Sequence, residues 1–156
     1  MRRNKKEIKD ILELKKIINS ANIMHLGLCN NNQPYVVPLN FGFEDMIIYF
    51  HSAKEGKKCD WIKGNQLCAV EMTSYFELIK GEEACQWSAY HESVMIEGVI
   101  TLLDNIDEIK IAMNTIMKKY GFVGEPFYQD KFIKAMNVYK IDIKTISGKR
   151  NLPNNK

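Results

Sequence analysis

The chain has 156 residues, of which 46% are hydrophobic and 26% charged, with 22 basic and 19 acidic side chains. Length and composition predict one globular domain over residues 1–156, with a core over 7–150 and frayed termini. The small basic excess argues against a nucleic-acid partner. Charges interrupt every apolar run well before the ~20 residues that a membrane-spanning helix needs, so we expect no membrane partner and a cytoplasmic location.

Helical periodicity predicts an amphipathic helix over residues 7–20. Three strands joined by short polar turns are predicted next, over residues 23–29, 34–43 and 46–50, and they would form an antiparallel meander. Pro38 lies inside the second of these strands. Because proline cannot donate to a ladder, we expect that strand to lie at an edge or to contain a bulge.

Two longer strands are predicted over residues 67–79 and 87–103, with a bend at Gly98. An amphipathic helix is predicted over 105–120, and strict alternation predicts a last strand over 138–146. Six strands with short hairpins and flanking helices favour an α+β fold built on a six-stranded antiparallel barrel. A parallel dinucleotide-binding sheet would need longer connections than the first three strands have.

The cysteines and histidines do not form a recognisable metal motif. No two of the four cysteines form a C-x-x-C pair, and each lies in an apolar or mixed run: Cys29, Cys59, Cys68 and Cys85. We therefore expect reduced thiols, with no zinc site and no disulfide framework. His91-Glu92 begins like a zinc-protease motif, but no second histidine follows at the required spacing.

The most informative stretch is YFHSAKEGKK, residues 49–58, where a buried strand runs into a histidine, a serine, a glycine and three lysines. Ser52 and Glu55 match the S-x-x-E capping box, which predicts a helix from about residue 53. The free N–H groups of that helix, with Lys57 and Lys58, would form an anion site, and phosphate is its common occupant. A capped surface helix with solvated lysines is the alternative. No Walker pattern supports a nucleoside triphosphate.

Two other segments would suit a phosphate that is attached to a flat ring. Pro38 frees local backbone on the strand that we expect to pair with residues 46–50. Trp87, Tyr90 and Ser93 precede a barrel strand and would offer an aromatic wall and a hydroxyl. Each feature has a structural alternative, because the two aromatic residues also suit a core or an interface and Asn40 also suits a bulge.

The segments PYVVPLNFGFEDMIIYFHSAKEGKKCDWI, WSAYHESVMIEGVI and ISGKRN, in this order, resemble the flavin-binding split barrels related to pyridoxamine-phosphate oxidase. Among these, the chain is most similar to the Nim nitroimidazole-resistance proteins, over residues 7–150. The resemblance implies a homodimer that binds FMN in two clefts between its subunits. The closing GKRNLPNNK departs from the arginine-bearing, proline-ended tail of the oxidases. We therefore do not expect oxidation of pyridoxamine phosphate.

The resemblance also assigns residues to the cofactor. The FMN phosphate would lie against Ser52, Lys57 and Lys58, with Ala53 in the same segment. The remaining candidates would border the isoalloxazine ring: Val37, Pro38, Leu39, Asn40, Phe50, His51, Trp87, Tyr90, Ser93 and Val94.

The predicted function is an FMN-dependent reductase of nitroaromatic or similar small acceptors. His51 would protonate the reduced substrate, because its pKa suits that task. The electron donor would be NAD(P)H or another flavoprotein. Two alternatives stay open: a flavin-binding carrier or redox sensor without turnover, and a haem-binding barrel with His25 or His91 as ligand.

Overall fold

Residues 6–153 are described by a computed structural model, and the predicted frayed ends at 1–5 and 154–156 lie outside this range. The strands are β1 (Glu7–Ile8), β2 (Met24–Asn30), β3 (Gln33–Leu39), β4 (Gly42–Glu44), β5 (Ile47–Ala53), β6 (Leu67–Ile79), β7 (Ser88–Leu102) and β8 (Met136–Asn151). The helices are α1 (Ile11–Ser20), α2 (Lys57–Gly64), α3 (Ile106–Lys119) and α4 (Asp130–Lys134).

All strand pairs are antiparallel, in the order β3-β2-β6-β7-β8-β5-β4, and β1 pairs with the far end of β8. The predicted α+β split barrel is confirmed, with eight strands among the described residues instead of six. The predicted bend at Gly98 is also confirmed, because the register between β7 and β8 shifts there. A Cβ atom on Gly98 would lie 2.8 Å from the carbonyl oxygen of Asp142, so only glycine lets the two backbones approach this closely.

The predicted three-stranded meander is wrong. Residues 34–43 do not form one strand, because the chain leaves the ladder at Asn40 and Phe41. Phe41 is fully buried, and its N–H donates to the hydroxyl of Tyr120 instead of to a strand. As a result β3 lies at one edge of the sheet, paired only with β2, and β4 lies at the other edge beside β5. The edge position that Pro38 predicted is confirmed.

The first helix begins later than predicted. Asp10 caps α1 by accepting the N–H of Leu12 at 2.8 Å, so the helix cannot extend back to residue 7. Glu7 and Ile8 instead pair with Lys149 and Gly148 of β8. The predicted helix over 105–120 is confirmed, whereas α4 and both ends of the last strand were not predicted.

The core consists of two clusters on opposite faces of the β5–β8 pair. The larger cluster fills the barrel and includes Phe50, Tyr139 and Ile141, while the smaller one packs Val138 against Met113 and other residues of α3. Since side chains alternate along a strand, neighbouring residues of β5 point to different clusters. This alternation sets the directions of the side chains where β5 ends.

We expect Asn105→Ala to lower the free energy of unfolding by about 1 kcal/mol. Asn105 caps α3 by accepting the N–H groups of Asp107 at 2.8 Å and Glu108 at 3.2 Å. Urea denaturation measures the change. Asn114→Ala, at an exposed position of the same helix, is the matched control and should change stability by less than about 0.5 kcal/mol. Equal effects of the two substitutions would contradict the capping role.

Candidate functional site

The predicted capping box at Ser52 is not formed. β5 continues through Ala53, and Ser52 pairs with Asn137 in the ladder, so its backbone is not free to begin a helix. Its hydroxyl is buried and donates to the carbonyl oxygen of Ala53 at 2.6 Å. The helix α2 begins four residues later, after Gly56, whose φ of 115° is a conformation that other residues rarely adopt.

Three backbone donors are free at the start of α2. The first helical hydrogen bond runs from the N–H of Asp60 to the carbonyl of Gly56, at 3.2 Å. The N–H groups of Lys57, Lys58 and Cys59 therefore have no acceptor within the helix. No side chain caps this end. The positive end of the helix dipole thus lies at the two lysines themselves, and not at residue 53 as the sequence predicted.

Lys57 is held between two aromatic rings. Its ammonium lies 4.9 Å from the ring centre of Tyr35 on β3 and 4.8 Å from that of Trp61 on α2. The two rings are 5.5 Å apart. Cation–π attraction of this kind fixes the direction of a lysine that is otherwise flexible. The charge of Lys57 is therefore placed between β3 and the start of α2.

Lys58 is a half-buried cation. Burial lowers the pKa of its ammonium. Among residues 6–153, no carboxylate lies within ion-pairing distance of Lys58 or of Lys57. A partly desolvated charge is unfavourable unless it is paired, so this position favours the arrival of an anion.

His51 lies on the face of β5 that is opposite to Ser52. It pairs with Val138, whose side chain packs against α3, and it keeps part of its surface in contact with solvent. The surrounding protein lowers the pKa of the imidazole by desolvation, and the nearby charge of Lys58 lowers it further. The neutral form of His51 is thus favoured, and Lys58 lies close enough to act on it.

A polar cluster under the first turn of α2 was missed by sequence reasoning. The thiol of Cys59 donates to the carbonyl of Ala53 at 3.2 Å, and lies 3.4 Å from the hydroxyl of Ser52 and 3.7 Å from that of Tyr139. The side-chain amide of Asn137 is 3.8 Å from the same sulfur. Burial raises the pKa of this thiol, but the hydrogen bonds and the charge of Lys58 outweigh burial and lower it.

The inner face of β3 lies next to the lysines, since Tyr35 contacts Lys57. Val37 and Leu39 pack against the barrel core, whereas Pro38 and Asn40 are exposed. Tyr35, which contacts Lys57, also lines a depression of about 590 Å³ on the outer face of the sheet. Gly27 and Ala69 form part of its floor, and its surface is mainly apolar. Neither lysine lines this depression, and Tyr35 is the residue common to both.

The other group of predicted site residues lies elsewhere in the chain. Ser52 is opposite Asn137 on β8, and Ser93 is opposite Lys149, twelve residues further along the same strand. At ~3.3 Å per residue, these twelve residues make a path of roughly 40 Å along β8. Trp87 and Tyr90 precede Ser93 in the chain, Trp87 just before β7 and Tyr90 within it. The structure thus does not bring these residues together with the lysines within one chain.

Two predicted contact residues have no exposed side chain. Phe50 and Val94 are fully buried, and Phe50 stacks on Tyr139 with ring centres 4.9 Å apart. By contrast, Trp87 is 48% exposed, and its indole N–H donates to the carbonyl of Gly81 at 2.9 Å.

Arg150, in the closing ISGKRN segment, is held by two carboxylates. Its guanidinium donates to Glu13 of α1 at 2.8 Å and also to Glu92 of β7. Hydrogen bonds from Lys16 and from Arg150 lower the pKa of Glu13 to about 2. Arg150 therefore fastens α1 to the sheet, and its donors are directed at carboxylates of its own chain.

Comparison with known proteins identifies the family. The family described as pyridoxamine 5'-phosphate oxidase matches residues 10–150, so the chain belongs to this family of flavin-binding split barrels. The resemblance in the sequence is thereby confirmed. A candidate 5-nitroimidazole antibiotic resistance protein from Bacteroides thetaiotaomicron is 28% identical, with a TM-score of 0.82 over 92% of this chain and 85% of its own.

Other solved structures share the fold at lower sequence identity. The flavocytochrome Anf3 from Azotobacter vinelandii is 21% identical, with a TM-score of 0.83 over 98% of this chain and 72% of its own. A FAD and haem binding protein from Mycobacterium smegmatis is 15% identical, with a TM-score of 0.82 over 97% of this chain and 77% of its own. Uncharacterized protein RA0666 of Rhizobium meliloti is 21% identical over 86 residues, 55% of this chain, and the match spans 56% of that protein.

None of the helices within residues 6–153 is long and apolar enough to cross a membrane. Within the same residues, no three histidine, cysteine or acidic side chains are grouped so that they could hold a metal ion.

We expect the pKa of His51 to rise when Lys58 is replaced by glutamine, because a nearby positive charge that disfavours imidazolium is removed. Titration of the imidazole proton resonances by NMR measures this shift. Lys57→Gln is the control and should leave the pKa of His51 closer to its starting value, since Lys57 points toward Tyr35 and Trp61. A larger shift with Lys57→Gln would contradict the described side-chain directions.

The same pKa shift makes stability depend on pH. Because folding lowers the pKa of His51, the unfolded chain binds more protons between the folded and unfolded values, so stability rises with pH across that window. In His51→Gln, the free energy of unfolding, measured from denaturation curves at several pH values, should lose this part of its dependence on pH. An unchanged slope would show that His51 does not contribute to it.

Proposed function

We propose that this protein binds FMN and passes electrons from it to a nitroaromatic or similar small acceptor. The observation that carries the proposal is the half-buried Lys58, which has no carboxylate partner among the described residues and lies beside three free backbone donors. A terminal phosphate carries the charge and the oxygen acceptors that such donors bind. Membership of a flavin-binding family supports a flavin as the rest of the ligand.

The position of the lysines supports a phosphate at the end of the ligand. Tyr35 contacts the ammonium of Lys57 and also lines the outer-face depression, so one residue is shared between the lysine and a mainly apolar surface. A flat ring attached to a phosphate at α2 would need an apolar surface of this kind nearby. FMN has this arrangement of a ring and one terminal phosphate. Bound flavin would supply the electron transfer, while the protein orients the ring and excludes water.

The acceptor is proposed from the similarity to the Bacteroides protein, whose description names 5-nitroimidazole resistance. His51 is a suitable proton donor for a reduced acceptor, because its imidazole is partly open to solvent and the charge of Lys58 acts on it. Since the pKa of His51 is lowered, its protonated fraction increases as the pH falls below neutrality. A step that needs imidazolium should accordingly become faster toward acid pH. We propose NAD(P)H or another flavoprotein as the electron donor.

Replacement of Lys57 and Lys58 together tests the phosphate site. Lys57→Glu with Lys58→Glu should weaken FMN binding roughly 100-fold or more, because each charge-assisted hydrogen bond contributes ~1.5–3 kcal/mol. Affinity for riboflavin, which lacks the phosphate, should change much less. Fluorescence titration of the purified apoprotein measures both constants.

The matched control changes charge by the same amount away from the site. Lys63→Glu with Lys110→Glu replaces two exposed lysines on α2 and α3 and should leave the preference for FMN over riboflavin intact. Equal FMN affinity of the site variant and the wild type would remove the phosphate assignment.

Replacement of His51 tests its proposed role with the acceptor. In His51→Ala, FMN should bind normally while turnover per bound FMN falls by about 100-fold, within the usual range for general acid–base groups. Anaerobic reduction of a nitroaromatic by the holoprotein, with NAD(P)H supplied as the electron donor, measures turnover. His51→Gln is the control for hydrogen bonding, because glutamine can donate a hydrogen bond but does not titrate. Full activity of the glutamine variant would exclude proton transfer by His51.

The same preparations separate the alternative functions. A carrier or sensor would contain flavin but would not reduce the acceptor at a useful rate. A haem-binding barrel would show a haem spectrum that disappears in His25→Ala or His91→Ala. In the structure, Nδ1 of His25 lies 3.0 Å from a carboxylate oxygen of Glu71, so that nitrogen already has a partner.

A further inference from the structure

A short connection leads from the end of β5 to the start of α2, and side chains hold its first two carbonyl groups. The carbonyl of Ala53 accepts hydrogen bonds from the hydroxyl of Ser52 at 2.6 Å and from the thiol of Cys59 at 3.2 Å. The carbonyl of Lys54 accepts one from the side-chain amide of Asn137 at 3.4 Å. Two successive peptide units before α2 are therefore fixed in direction by residues of β5, α2 and β8.

The held carbonyls turn the matching N–H groups the other way. In a trans peptide the C=O and the N–H point in opposite directions, and the described residues contain no cis peptide bond. With the carbonyls of Ala53 and Lys54 directed at the polar cluster, the N–H groups of Lys54 and Glu55 point away from it. A reversed peptide unit would instead bring a carbonyl oxygen to the positive end of α2, where it would repel an anion.

Water does not reach the groups that hold these carbonyls. Ser52, Cys59 and Tyr139 are all buried. The sulfur of Cys59 lies among them, 3.4 Å from the hydroxyl of Ser52 and 3.7 Å from that of Tyr139. A hydrogen bond that is lost in such surroundings is not replaced by solvent, so the carbonyl that loses it is left at a cost.

Cys59 belongs both to the polar cluster and to the start of α2. Its side chain lies on the buried face of the helix, together with Ile62 three residues later. Its backbone N–H is one of the three that have no acceptor within the helix. A movement of the Cys59 side chain therefore displaces one of the proposed phosphate donors, although the thiol itself does not face the ligand.

We propose that Cys59 is a positioning residue for the phosphate: its thiol, together with Ser52 and Asn137, holds the carbonyls before α2 away from the bound anion. This inference rests on the proposed binding of FMN and adds what keeps the phosphate site in shape. The role requires the protonated thiol, since a thiolate cannot donate to the carbonyl of Ala53. A thiolate would also place a negative charge beneath the three backbone donors.

Ionisation of the thiol should accordingly weaken the site at alkaline pH. Ser52 of β5 and Asn137 of β8 face the sulfur without titrating, whereas Tyr139 of β8 and Lys58 of α2 titrate. Burial, and then the hydrogen bond with Cys59, raise the pKa of Tyr139, so its hydroxyl keeps its proton while the thiol ionises. Burial raises the pKa of the thiol, but its hydrogen bonds and the charge of Lys58 lower it overall.

Substitution of the thiol tests the positioning role. Cys59→Ala should weaken FMN binding roughly fivefold or more, because one of the hydrogen bonds that hold the connection is lost. Affinity for riboflavin, which has no phosphate, should change much less. Cys59→Ser keeps a donor for the carbonyl of Ala53 and should retain most of the preference for FMN over riboflavin. Fluorescence titration of the apoproteins at about pH 7 measures both constants.

Thr115→Ala is the matched control. Thr115 is also a buried side chain of a helix, and its hydroxyl donates to the carbonyl of Ile111 at 2.9 Å. Its loss should lower the free energy of unfolding in urea but leave the preference for FMN over riboflavin unchanged. Full preference in Cys59→Ala, or an equal loss of preference in Thr115→Ala, would overturn the positioning role.

A pH profile gives a second readout, which a loss of stability does not imitate. In the wild type, the preference for FMN over riboflavin should fall severalfold from about pH 7 to about pH 9, a range around the ordinary thiol pKa of ~8.5. The phosphate keeps its charge there, since its second pKa is about 6. Cys59→Ser does not titrate in this range and should show only the smaller decline that Lys58 causes. Identical profiles of the two proteins would overturn the need for the thiol proton.

The outcomes separate this inference from the proposed function. A wild type that binds FMN no better than riboflavin would overturn the phosphate site and the role of Cys59 together. A wild type that prefers FMN, with the same preference in Cys59→Ala, would overturn the role of Cys59 alone.

Discussion

Phe50 and Tyr139 stack inside the barrel with ring centres 4.9 Å apart, and this contact fixes which residues of β5 point inward. With Phe50 inward, alternation turns Ser52 inward and His51 outward. The helix α2 begins just beyond the end of β5, so its first turn can contact side chains on both faces of that strand. Cys59 meets Ser52 on the inside, while the charge of Lys58 acts on His51 on the outside. The division between a buried polar cluster and an open edge thus depends on one packed pair of rings.

The start of α2 carries a cost in folding stability. Lys58 loses hydration without gaining an ion pair among the described residues, and three backbone donors remain without helical acceptors. Tyr35 and Trp61 limit this loss of stability, because their rings hold the other lysine, Lys57, in place. A ligand that supplies a negative charge here would return the lost free energy and raise the apparent stability of the fold. A preformed arrangement of this kind also reduces the ordering that binding must impose.

The sequence predicted those parts of the fold that depend on local pattern. Periodicity located β6, β7 and α3 closely, and Gly98 and Pro38 marked a bend and an edge for the expected physical reasons. Sequence reasoning failed where contacts between distant residues determine the local structure. Phe41 leaves the ladder because its N–H donates to the hydroxyl of Tyr120. Ser52 cannot cap a helix because it pairs with Asn137. The lysines were found from their spacing, but Tyr35, Trp61, Asn137 and Tyr139 join them only through the tertiary fold, and no local signal marks them.

In β6, Ser74 is a bulge, because Thr73 is opposite Ser93 and Tyr75 is opposite Glu92, and the extra residue places Phe76 and Leu78 on the outer face of the sheet. To turn these apolar side chains outward by substitution, several residues of β6 would have to change together, and each intermediate would expose or bury the wrong side chain. Insertion of one codon reaches the same arrangement in a single step, since every later side chain of the strand changes face at once. Loss of that codon would reverse it equally fast. Among homologues, we therefore expect the face on which these side chains lie to follow the length of this strand more closely than its composition.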